Sequence, residues 1–135
     1  YFHVHPNLKA AFAKRIRSPK EACESGYKVS ISLEDGESIN IGGYRIARKG
    51  KQICTDRREL VDASWELQTE FSTPVLRDGF ELEIYVDPNL IEVFVNDGEY
   101  VISNFVFGLR KEISSHAKKP YELYTLNDSE NPQTM

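Results

Sequence analysis

From Phe80 to Phe107 apolar and polar side chains alternate with a period of two. Phe80, Leu82, Ile84 and Val86 take one parity, and Glu81, Glu83, Tyr85 and Asp87 the other. That is the pattern of a strand with one buried face. Asp87-Pro88-Asn89-Leu90 predicts a turn, since proline fixes φ and Asx side chains bond locally to backbone. A second strand follows and runs to Asp97-Gly98, which stands between Asn96 and Glu99 and suits a two-residue type I′ hairpin. With that turn, Val95 opposes Tyr100 and Val93 opposes Ile102. Ile91, Val93, Val95, Tyr100 and Ile102 then form one apolar face, which places Tyr100 in the core. Glu92, Asn96, Glu99 and Ser103 share the other face. A slip of one residue would expose the whole apolar set, so the register is specified.

Upstream the same period recurs in Tyr27, Val29, Ile31 and Leu33, and Glu34-Asp35-Gly36-Glu37 supplies a turn. Ile39 and Ile41 follow, then Gly42-Gly43 predicts a bulge or bend before Tyr44 and Ile46. Lys49-Gly50-Lys51 turns the chain into a strand over Gln52–Asp56. Residues 57–70 carry helix propensity between β neighbours, and we read an irregular loop to about Ala63 and a short strand over Trp65–Phe71. Tyr121–Leu126 predicts a closing strand. Leu8, Phe12 and Ile16, spaced i, i+4, i+8 between Pro6 and Pro19, predict a short amphipathic helix within 7–17. Short strands with Gly/Asp/Pro turns point to an all-β fold, an antiparallel two-sheet β-sandwich of the concanavalin or lectin-like kind. The organisation expected is a linker over 1–25 with the short helix, a sandwich over 26–127, and a disordered tail over 128–135.

Composition adds few constraints. The chain has 135 residues, enough for one domain with its own core. A net charge of −4 argues against a general binder of nucleic acid or anionic membranes. The basic clusters Lys14-Arg15-Arg17 and Arg45-Arg48-Lys49-Lys51 read as solvated faces. No apolar run approaches the ~20 residues that span a bilayer. Cys23 and Cys54 lack metal-type spacing, and two cysteines are too few for a secreted framework. This favours the cytoplasm, with export as the alternative. His3 and His5 could share a metal, but no third ligand lies near them. Nothing implies a cofactor. Asn127-Asp128-Ser129 is a formal sequon in the polar tail.

The run L-x-I-x-V-D-x-x-x-x-E-V-F-V-N-D-G, Leu82 to Gly98, resembles the signature of the C-terminal β-sandwich module of glycoside hydrolase family 32. Cys54-Thr55-Asp56-Arg57 is similar to the family's short strand ending in Asp-Arg. Asp56, Arg57, Asp87, Glu92, Asn96 and Gly98 are the signature positions, and the resemblance implies structural roles for them. Two departures stand out: Pro88-Asn89-Leu90 replaces Arg-Ser-Ser, and Gly108 replaces the proline of Phe-Pro. The family contains invertases, levanases, inulinases and sucrose-6-phosphate hydrolases, whose chemistry resides in an N-terminal five-bladed propeller. None of the propeller's motifs can be carried over. Asp87-Pro88-Asn89 copies only part of W-M-N-D-P-N-G, Arg77-Asp78 is followed by Gly79 rather than proline, and Glu21-Ala22-Cys23 is not Glu-Cys. The resemblance therefore implies a non-catalytic module that braces the propeller and takes part in oligomerisation. Its parent enzyme would hydrolyse sucrose, sucrose 6-phosphate or fructans. The alternative is a stand-alone lectin-like domain that binds fructan or a sucrose-type saccharide.

Two constellations bear on these readings. A retaining glycosidase needs two carboxyls about 5–5.5 Å apart. Asp87 and Glu92 share the outer face of one hairpin, but an open sheet lacks the enclosure that drives carboxyl pKa values apart. Turn capping by Asp87 and a cross-strand bond by Glu92 are the expected roles. Tyr85 and Phe94 also fall on the outer face, as a glycan platform or a contact with another domain. Trp65 is a further aromatic of interest.

Overall fold

The computed structural model describes residues 13–22, 26–77 and 79–126. Within them the chain forms two antiparallel sheets. The six-stranded sheet runs in the order β1 (Ala13–Ile16), β11 (Glu122–Leu126), β2 (Tyr27–Ser32), β7 (Glu81–Asp87), β8 (Leu90–Val95) and β9 (Tyr100–Phe105). The five-stranded sheet runs β10 (Ile113–His116), β3 (Ser38–Ile41), β4 (Tyr44–Lys49), β5 (Gln52–Asp56) and β6 (Glu70–Ser72). The only helical turns among the described residues are 3₁₀ turns at Pro19–Glu21, Arg58–Leu60 and Ala63–Trp65. This is the all-β sandwich that the alternation predicts.

Register follows burial. One row across the inner face of the six-stranded sheet reads Leu123, Val29, Ile84, Val93, Ile102. From the other sheet Ile39, Ile41, Tyr44, Ile46 and Ile53 join the same apolar cluster. Each such side chain removed from water contributes roughly 1.5–3 kcal/mol. One polar contact crosses this core: the Tyr44 hydroxyl donates to Asn104 Oδ1 at 2.6 Å. Asn104 is thereby satisfied although buried on an apolar strand face.

The β8–β9 hairpin has the predicted register, Val95 opposite Tyr100 and Val93 opposite Ile102. Asn96, Asp97 and Gly98 all have positive φ, at 51°, 59° and 96°. Asn and Asp tolerate that region better than other side-chain-bearing residues, and glycine adopts it freely. Asn96 Oδ1 accepts from the Glu81 amide (3.1 Å), and Asn96 Nδ2 donates to Glu99 Oε1 (2.9 Å), pinning the turn to β7.

Three expectations need correction. The helix within 7–17 is not formed over its described part, where Ala13–Ile16 is a strand paired with β11; residues 7–12 lie outside the described set. Ile16 is buried through strand parity rather than helical period. Of the bulge or bend expected at Gly42-Gly43 the structure forms the bend, a tight two-residue turn across which Ile41 pairs directly with Tyr44. The strand placed at Trp65–Phe71 begins only at Glu70, because a 3₁₀ turn capped by Asp62 occupies Ala63–Trp65. Tyr100 has inner-face parity but sits on an edge strand beside the turn and is 38% exposed. β10 carries no sequence alternation that would have announced it.

Candidate functional site

The Asp56-Arg57 pair ends β5 and organises the segment that follows. Asp56 Oδ1 accepts from the Arg58 amide at 2.9 Å, which starts the 3₁₀ turn. Arg57 is nearly buried. Its Nε donates to the Gln68 carbonyl and its Nη1 to the Phe105 carbonyl, each at 2.8 Å. The guanidinium carbon also lies 5.5 Å from the centroid of the Phe71 ring. One side chain thus ties the 57–69 segment of the five-stranded sheet to the edge strand of the six-stranded sheet. The Phe107 amide adds a second tie by donating to the Leu60 carbonyl at 2.8 Å.

These ties bring aromatic rings to the surface. Val106 is fully buried, so its neighbours Phe105 and Phe107 point outward, 67% and 44% exposed. Trp65, 48% exposed, meets Phe107 edge to face, with centroids 5.2 Å apart and planes at 79°. Sequence reasoning singled out Trp65 without placing it and missed both phenylalanines. The readable signal was the parity of Phe105 and Phe107 against the core residue Val106.

The carboxyl pair has a different setting. Tyr85 is opposite Glu92, and Asp87 is opposite Leu90, so both acids do lie on the outer face of one hairpin. Glu92 Oε2 accepts from the Ser103 hydroxyl at 3.4 Å. Asp87 borders a cleft of about 410 Å³ with Tyr27, Pro88 and Arg110, and Glu92 is not among the described residues lining it. That cleft therefore does not hold both acids together, as the enclosed pocket of a glycosidase dyad would.

Tyr85 and Phe94 need correcting as exposed platform candidates. They lie on the outer face as expected but are 2% and 4% exposed, packed edge to face with ring centroids 5.5 Å apart. Burial, with Glu83 and Glu92 nearby, pushes the Tyr85 phenol well above its usual pKa. Lys28 stands directly across from Tyr85 and is itself buried. Its ammonium lies 3.7 Å from Glu83 Oε2 and 5.0 Å from the Tyr124 ring centroid. Arg15 approaches that same ring at 5.8 Å. Alternation assigned the face correctly; parity carries no information about what neighbouring side chains do to exposure.

The outer face of the five-stranded sheet holds Ser114, Asn40, Arg45, Asp56 and Glu70 in one row. His116, Ser38, Ala47, Cys54 and Ser72 form the next. Neither row offers an aromatic ring for stacking on a sugar. Cys54 is half-buried and contacts the Ser72 hydroxyl at 3.4 Å. The described residues contain no group of three or more His, Cys, Asp or Glu side chains able to hold a metal ion. His3, His5, Cys23 and the Asn127 sequon lie outside the described residues.

Known proteins share this architecture. The structure is similar to the sucrose-6-phosphate hydrolase from Lactobacillus gasseri, with a TM-score of 0.69 and 18% identity, covering 91% of this chain and 30% of that one. It is also similar to the exo-inulinase from Aspergillus awamori, with a TM-score of 0.66 and 16% identity, covering 86% of this chain and 28% of that one. The chain therefore spans less than a third of either solved enzyme. No curated protein matches it in sequence. The family description that does match is "Glycosyl hydrolases family 32 C terminal", over residues 7–125. Spanning most of the sequence, that match establishes that the chain belongs to the C-terminal domain family of glycoside hydrolase family 32.

Proposed function

We propose that this chain is the non-catalytic β-sandwich module of a β-fructosidase and that its role is to brace the catalytic domain. The match over residues 7–125 to the C-terminal part of the family is the observation that carries this reading. The geometry agrees with it. Asp87 borders a cleft that Glu92 does not line, and Glu92 accepts a cross-strand bond from Ser103. The parent polypeptide would cleave the fructosyl bond of sucrose, sucrose 6-phosphate or a fructan, with all reacting groups supplied by the domain upstream.

The test compares the parent polypeptide with a version lacking this module and with the isolated chain. Hydrolysis of the three substrates and thermal inactivation are measured for each. The expected result is no turnover by the isolated chain and faster inactivation of the truncated parent. Turnover by the chain alone, abolished by Asp87→Asn, would overturn the reading.

A further inference from the structure

We propose that the aromatic ridge of Phe105, Phe107 and Trp65 is the surface that seats against the catalytic domain of the parent polypeptide. This rests on the reading just given and adds where the contact lies.

The ridge is the most exposed aromatic cluster among the described residues. Large rings exposed beside one another on a folded module are the anchors that dominate interface energies. Trp65 and Phe107 meet edge to face at 79°, so their rings do not form one flat platform. Arg57, which ties down the segments carrying the ridge, is committed to the Gln68 and Phe105 carbonyls.

The backbone around the ridge is held as a contact surface requires. The Arg57 fork and the Phe107–Leu60 bond tie the 57–69 segment to the end of β9, so little ordering entropy is lost when a partner docks. The family match is to its C-terminal part, and 70% or more of each solved relative lies outside the part this chain aligns with. The occupant we assign is accordingly an apolar surface of the catalytic domain in cis, and a second copy of the module is the alternative that the experiment separates.

The experiment uses the parent polypeptide carrying Trp65→Ser together with Phe107→Ser, and, as a control, Val75→Ser, which alters an exposed apolar residue elsewhere. Protease cleavage between the domains and sedimentation are measured. The expected result is at least a tenfold faster cleavage for the double variant and none for the control, with both modules still folded by circular dichroism. Cleavage unchanged in the double variant, while the wild type is protected, overturns the placement and leaves the bracing role intact. Loss of a dimer without faster cleavage also overturns it, assigning the ridge to a second copy. A wild-type polypeptide in which the two domains are cut apart freely overturns the bracing role itself.

Discussion

Arg57 offers the sharpest test of how the fold is held together. Its guanidinium makes two 2.8 Å bonds, to carbonyls on segments 11 and 48 residues away in sequence. Hydrogen bonds from a charged donor contribute about 1.5–3 kcal/mol each, and removing one partner leaves the other to find water. The Phe105 and Gln68 carbonyls are near the surface, so part of that loss is recovered. Arg57→Ala is therefore expected to cost about 3 kcal/mol, or about 10 °C in Tm for a domain of this size. Arg57→Lys should fall between the two, because an ammonium on a flexible stem cannot span both carbonyls as the planar fork does. Urea denaturation followed by tryptophan fluorescence suits the measurement, since Trp65 sits on the tethered segment. Arg58→Ala is the internal contrast: its ion pairs with Asp56 and Glu70 are solvent-exposed, and the midpoint should scarcely move. An Arg57→Ala loss below about 1 kcal/mol, or an Arg57→Lys protein as stable as wild type, would refute the claim that the fork joins the sheets.

Two further outcomes follow from backbone space and from burial. A Cβ at Gly42 would lie 2.1 Å from the Arg110 carbonyl oxygen, whereas one at Gly50, with the same φ of 62°, meets open space. Gly50→Ala should cost about 1 kcal/mol, from the backbone alone, and Gly42→Ala several-fold more, read from urea midpoints. Burial pushes the Tyr27 and Tyr44 phenols up to about 12. Between pH 10 and 12 the unfolded chain releases protons that the native state retains, so stability falls with rising pH by about 1.4 kcal/mol per unit per phenol. Tyr44→Phe should flatten that slope in pH-dependent denaturation; an unchanged slope would show that Tyr44 titrates normally.

The meander from β7 to β9 was legible because two independent signals agree there. Leu82, Ile84 and Val86 fix the face, and Asn96-Asp97-Gly98 fixes the register. β1 was not, because four residues of strand are too short to outweigh the helical spacing of Leu8, Phe12 and Ile16. β6 failed for a similar reason: helix formers fill the segment, and it is paired by its neighbour Cys54-Thr55-Asp56 rather than by its own pattern. Site residues divided along the same line. The signature Asp56, Arg57 and Asn96 stand at points where side chains bond to backbone, which local sequence can mark. The exposure of Tyr85, Phe94 and Tyr100 depends on Lys28, Phe94 and strand position, which one strand's parity does not encode. The ridge needed Trp65 and Phe107 to meet across 42 residues, and no local pattern carries that.

The pairing of β1 with β11 has a mechanical consequence. Ala13 lies opposite Leu126 in an antiparallel ladder, so chain entering and leaving the sandwich passes the same corner. Tension between a preceding domain and anything following would load that ladder end-on, one hydrogen bond at a time. It would peel open like a zipper rather than resist in shear. The β1–β11 corner is then the first part of the module to yield under force, while the Tyr44–Asn104 contact stays assembled behind it.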